Sequence, residues 1–116
     1  MNCVFCHLRK SKETIAFETK HFVFLQAKFP IIKGHYLLIT KKHIHSEIEI
    51  PKSQTEEYIR LNKKSYLYIQ SKFKSPLIFI NSLQDQSIKH FHKHFVPGKF
   101  AKHGVQNALI NALKQS

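Results

Sequence analysis

Short apolar runs separated by polar punctuation make up most of this chain. "TIAFE" (Thr14–Glu18) and "HFVFLQ" (His21–Gln26) are β-prone runs divided by a turn. Pro30 and Gly34 then break "KFPIIKGH". "HYLLIT", His35 to Thr40, is an unbroken apolar run of strand length, which predicts a buried central strand. A helix is expected from about Ser53 to Lys72, after Pro51, with Ser53 and Glu56 as a capping box. Ile59, Tyr66, Ile69 and Phe73 recur at helical spacing, while Glu56, Glu57, Lys63 and Lys64 can stay wet. Tyr58, Tyr66 and Tyr68 are expected to pack, in the core or at a subunit contact.

"PLIFIN", Pro76 to Asn81, reads as a further strand. A polar loop, "SLQDQ", leads to a last strand that ends at Pro97 and Gly98, and "VQNALINALKQ" reads as a short C-terminal helix. Strands flanking one main helix predict an α+β fold with a mostly antiparallel sheet, and 116 residues fit a single domain over 1–116.

Composition adds three constraints. Hydrophobic residues are 42 %, enough for a core, which excludes disorder as the main state. No apolar run approaches the ~18–20 residues that cross a bilayer, and "MNCVFCHLRK" has no hydrophobic signal core. A cytoplasmic protein without a membrane partner is therefore expected. The formal charge is +12, from 19 Lys and Arg against 7 Asp and Glu, which suits polyanionic partners: nucleotides, RNA or an acidic membrane surface.

Both cysteines lie in "CVFC", as Cys3 and Cys6. That spacing serves either half of a zinc site or a redox pair, and a position outside any strand–helix unit favours zinc. Two more ligands would then come from among His7, His21, His35, His43, His45, His90 and His103.

"KHFHKHFVP", Lys89 to Pro97, holds His90, His92 and His94 at alternate positions. On a strand they share one face, with Phe91, Lys93 and Phe95 on the other. The outer two Cα atoms would stand roughly 13 Å apart, so two neighbours can meet on one ion but all three are harder to bring together from a straight strand. The row is better read as divided labour, with one imidazole at a metal and another at chemistry.

Three segments in order, "CVFC", "KGHYLLITKKHI" (33–44) and "QSIKHFHKHFVP" (86–97), resemble the histidine-triad (HIT) superfamily of nucleotide hydrolases and transferases, in its zinc-bearing bacterial form. The resemblance implies a structural zinc ion held by Cys3, Cys6, His43 and His90. It implies His92 as nucleophile, His94 at the phosphate or leaving group, and His35 supporting them. Gln26, Asn81, Gln86 and Ser87 would contact a purine nucleotide substrate, with reaction at an α-phosphate through a nucleotidyl-histidine intermediate. A homodimer is the usual assembly of the family. The chain departs from the family pattern in four places: Gln26 stands for the usual Asp, "NSLQDQ" has no glycine, Thr40 replaces Pro, and Gly98 replaces Arg. Gln26 and the glycine-free loop favour, as the alternative, a zinc-stabilised module that binds nucleotide or RNA without turnover.

Overall fold

The computed structural model describes residues 14–80 and 90–98. Five strands form one sheet: β1 (Ile15–Glu18), β2 (Phe22–Gln26), β3 (Tyr36–Thr40), β4 (Pro76–Ile80) and β5 (His92–Pro97). Their order is β1-β2-β3-β5-β4, and every neighbouring pair is antiparallel. The α-helix α1 (Thr55–Lys72) joins β3 to β4 after two short 3-10 turns. This is the expected α+β architecture. The expected C-terminal helix lies outside the described residues.

Alternation sorts the strand residues onto two faces. Phe22, Phe24, Tyr36, Leu38 and Phe95 meet Leu61 and Ile69 of α1, and this is the main core. Val23, Leu25, Leu37 and Ile39 cluster on the opposite face. The run from Phe22 to Leu25 is buried on both faces, which explains its lack of polar alternation. The expected central strand is confirmed in β3, where all five residues are buried.

The helix differs from its sequence reading in two ways. Ser53 does not cap it: Lys52–Gln54 forms a 3-10 turn, with Gln54 N–H donating to Pro51 O, and the α-helix starts at Thr55. The buried stripe is Leu61, Ser65 and Ile69, whereas Ile59 is half exposed and Phe73 lies past the helix end. Ser65 tolerates burial because its hydroxyl donates to Leu61 O at 2.8 Å. Thr19 and His21, flanking the β1–β2 turn, both bond the Glu57 carboxylate and tie that turn to the helix.

The last strand is also shorter than expected. β5 begins at His92, so His90 precedes it. Phe91 N–H donates to Ile44 O at 2.6 Å, a bond that draws the segment toward the β3–α1 connection. Lys93 falls on the helix face, opposite Leu38 and Ile80. There its ammonium donates to Tyr58 OH at 3.3 Å, and the Tyr58 hydroxyl donates to Glu47. Lys93 thus joins β5 to the helix.

Gly34 turns the chain into β3 at φ 92°, where an added Cβ would lie 2.8 Å from the Pro97 ring and 3.0 Å from Phe73. Left-handed backbone alone costs a non-glycine residue about 1–2 kcal/mol. Gly34→Ala is therefore expected to lose at least about that much stability in urea unfolding; an unchanged midpoint would contradict the close packing of this turn.

Candidate active site

The β3–β5 pairing builds the site. Leu37 lies opposite His94 and Ile39 opposite His92, so both histidines project from the sheet face that α1 does not cover. Their ring centroids are 4.9 Å apart. Phe79 lies opposite His94 on the other side, and its ring stacks on the imidazole at 4.4 Å with an interplanar angle of 9°. That stacking fixes the plane of His94, and nothing in the local sequence announces it.

Neighbouring backbone groups assign the tautomers. Ile31 N–H can only donate, and it donates to His35 Nδ1 at 3.0 Å. In the neutral ring the proton of His35 then sits on Nε2, which donates to His94 Nδ1 at 3.0 Å. His94 in turn carries its proton on Nε2, where it is a donor. His92 Nδ1 lies 2.8 Å from the carbonyl of His90. A carbonyl can only accept, so His92 Nδ1 holds the proton and Nε2 holds the lone pair.

His90 and His43 form a separate pair. His90 is fully buried, and its Nε2–H donates to Thr40 O at 2.7 Å, with Thr40 Oγ1 at 3.3 Å. The Thr40 hydroxyl donates to Lys42 O, so a lone pair remains to face His90. His90 Nδ1 stands 3.2 Å from His43 Nδ1. Two such nitrogens need a proton or a cation between them.

The environment keeps the catalytic candidates neutral. Burial lowers the His92 pKa, against a smaller opposing effect of the His90 carbonyl. Burial first, and then His92, lowers that of His35. Burial, His92 and His35 push His94 down to about 4. At neutral pH His92 therefore carries its lone pair on Nε2 and its neighbour His94 carries its proton on Nε2. That combination suits attack on an electrophile with hydrogen-bond donation to an adjacent oxygen.

Of the residues singled out from sequence, the structure brings together His35, His92 and His94, and separately His43 and His90. It does not bring Gln26 to them. Gln26 falls on the helix face, where its amide donates to Tyr36 OH at 3.3 Å. Cys3, Cys6, Asn81, Gln86 and Ser87 lie outside the described residues. The residues that sequence reasoning missed are Phe79, Thr40 as the partner of His90, and Ile31, which acts through its backbone alone.

Comparisons with known proteins place the chain in a family. A family model described as "Scavenger mRNA decapping enzyme C-term binding" matches residues 2–110. The curated protein "Protein hit" of Bacillus subtilis is 28 % identical over 104 residues, covering 83 % of this chain and 70 % of that one. Among solved structures, a HIT family hydrolase from Clostridium thermocellum is 26 % identical with a TM-score of 0.69, covering 87 % of this chain and 95 % of its own. A histidine triad nucleotide-binding protein from Sulfolobus tokodaii is also 26 % identical, with a TM-score of 0.70, covering 86 % and 71 % respectively. An antiparallel sheet that sets a histidine row against a supporting histidine defines a histidine-triad protein. The chain belongs to the scavenger decapping enzyme C-terminal family, as a divergent member of the HIT superfamily.

The lowered pKa of His94 has a consequence for stability. Its folded value of about 4 lies below the 6.5 of an ordinary histidine, so the unfolded chain binds the extra proton between those values. Neutral His94 therefore contributes stability that is complete above pH 6.5 and is lost as the pH falls toward 4. Denaturant midpoints of wild type should fall across this window more steeply than those of His94→Asn. Parallel curves would contradict the assignment.

Proposed function

We propose that this chain is a nucleotide phosphohydrolase or nucleotidyltransferase that works through His92. The observations that carry the reading are the contacts of His92 Nδ1 with the His90 carbonyl at 2.8 Å and of His35 Nε2 with His94 Nδ1 at 3.0 Å, which put a lone pair on His92 Nε2 and a proton on His94 Nε2. A phosphate ester or phosphoramidate is an electrophile such a pair suits. His92 Nε2 attacks the α-phosphorus and the bond to the leaving group breaks. His94 Nε2–H donates a hydrogen bond to the departing atom, which takes its proton from solvent, and His35 holds the His94 ring in place. Water then attacks the nucleotidyl-histidine, losing its proton to solvent and releasing nucleotide and His92. An imidazole is both a good nucleophile and a good leaving group on phosphorus at neutral pH. The family's description as a decapping enzyme, and the hydrolase and nucleotide-binding names of its relatives, support a nucleotide as substrate.

A zinc ion fits the His43–His90 pair. Two ligands of one tetrahedral zinc, each about 2.0–2.1 Å from the metal, stand about 3.3 Å apart. The observed Nδ1–Nδ1 separation is 3.2 Å. Thr40 O holds the other nitrogen of His90, as outer partners of zinc-bound histidines do. With Cys3 and Cys6 the set would be Cys₂His₂, a closed site that stabilises the fold and leaves no position for substrate. In a cytoplasmic homodimer of the family type, this ion would anchor the N-terminal segment beside the triad.

One observation favours the alternative of binding without turnover. Gln26, at the position where the family usually has a ribose-binding Asp, is engaged with Tyr36 on the helix face. Nucleotide recognition would then rest on the other contacts.

His92→Asn is expected to lower turnover of adenosine phosphoramidate or a dinucleoside polyphosphate by at least about 10³-fold while the protein stays folded. Wild type should show a transient mass gain of one nucleotidyl group that the variant lacks. Tight nucleotide binding with neither adduct nor product would instead establish the binding module. Chelation of stoichiometric zinc should lower the thermal midpoint of wild type but not that of His43→Ala, measured without substrate. Equal shifts in the two proteins would remove zinc from the account.

A further inference from the structure

The β2–β3 connection exposes an apolar tip that the chemistry at His92 does not use. Phe29 is 81 % exposed, Ile31 69 % and Ile32 50 %, on a stretch of four residues with Pro30 between them. Single exposed apolar side chains are ordinary, but three gathered at one loop tip are not. Lys28 and Lys33 flank the stretch, and Lys28 Nζ lies 5.6 Å from the centre of the Phe29 ring. A shallow groove beside it is lined by Ile32, Lys33, Phe73, Lys74 and Pro97. Residues 27–35, 72–76 and 95–98 include no carboxylate side chain.

The tip is held firmly at its base. Ala27 N–H donates to His35 O at 3.0 Å, His35 N–H to Ile32 O at 3.1 Å, and Ile31 N–H to His35 Nδ1 at 3.0 Å. The apolar side chains are thus presented on an ordered backbone, which reduces the entropy lost on docking.

We propose that this tip is a peripheral docking surface for an anionic phospholipid bilayer. Phe29, Ile31 and Ile32 enter the boundary between headgroups and acyl chains, while Lys28, Lys33 and Lys74 meet headgroup phosphates. Charge selects this occupant. A second copy docked on the same patch about a two-fold axis would set these lysines against one another. A nucleic acid would want a series of stacking rings, and on the tip itself, residues 28–33, only Phe29 offers one. Among the described residues no helix is long and apolar enough to cross a membrane, so the attachment is superficial. Docking at this tip would turn the His35–His94 end of the sheet toward the bilayer, because Ile31 belongs to both.

The test is sedimentation of the full chain with vesicles, at low and at physiological salt. Vesicles of phosphatidylcholine with a minority of phosphatidylglycerol should carry the protein down, and pure phosphatidylcholine should not. Phe29→Ser with Ile32→Ser should weaken binding at least about tenfold while the melting temperature stays put, since both side chains are exposed. Lys28→Glu with Lys33→Glu should weaken it and flatten its salt dependence. Serine variants that bind as well as wild type would mean that net charge alone carries the protein to the surface, and would overturn the proposal. So would equal binding to neutral vesicles, or no binding at either salt. A change in oligomeric state of the serine variant, without vesicle binding in wild type, would assign the tip to contact between copies instead.

Discussion

The hydrogen bond from His35 Nε2 to His94 Nδ1 is the constraint on which the site depends. An imidazole has two nitrogens and, when neutral, one proton, so a partner at one nitrogen dictates the role of the other. Ile31 N–H sets His35, His35 sets His94, and the His90 carbonyl sets His92. Each decision is made by a group whose polarity cannot change, or is passed on from one. The result is a lone pair and a proton side by side. Burial then prevents acid–base equilibria near neutral pH from scrambling the assignment, most strongly at His94.

The fold serves this by register. Antiparallel pairing of β3 with β5 places His94 across from Leu37, one residue beyond Tyr36 and two beyond His35. It also brings the His90 ring to the end of β3, where Thr40 O receives it. A one-residue slip would send His92 and His94 to the helix face and Lys93 to the site. Lys93, clasped by Tyr58 on the helix side, and Phe79, stacked on His94, both mark the correct register.

Much of this was legible in the sequence, and the reasons for the failures are specific. β2 and β3 were readable because doubly buried strands are uninterrupted apolar runs. The row "HFHKH" was legible as one whose imidazoles separate, because three on a straight strand are hard to bring to one ion: the His90 ring meets His43, while His92 and His94 lie opposite Ile39 and Leu37. The helix was legible in extent but not in facing. Its buried stripe includes Ser65, whose polarity is cancelled by a bond to its own helix, while the apolar Ile59 lies half exposed. His90 was placed on the strand although a bond from Phe91 to Ile44 bends the chain before β5 begins. The tautomer partners were invisible. Ile31 contributes a backbone N–H, Thr40 and His90 contribute carbonyls, and such groups carry no residue signature. Substrate contact by Gln26 is an expectation from the resemblance alone, and its bond to Tyr36 on the helix face has no signal in the sequence.

The central claim is about protons, so it is best tested by seeing them. Long-range ¹H–¹⁵N NMR of the histidine rings at neutral pH distinguishes the two neutral tautomers and the cation. The account predicts a protonated Nε2 and unprotonated Nδ1 for both His35 and His94, and the reverse for His92. A His94 ring protonated at Nδ1, or a His92 ring protonated at Nε2, would contradict it.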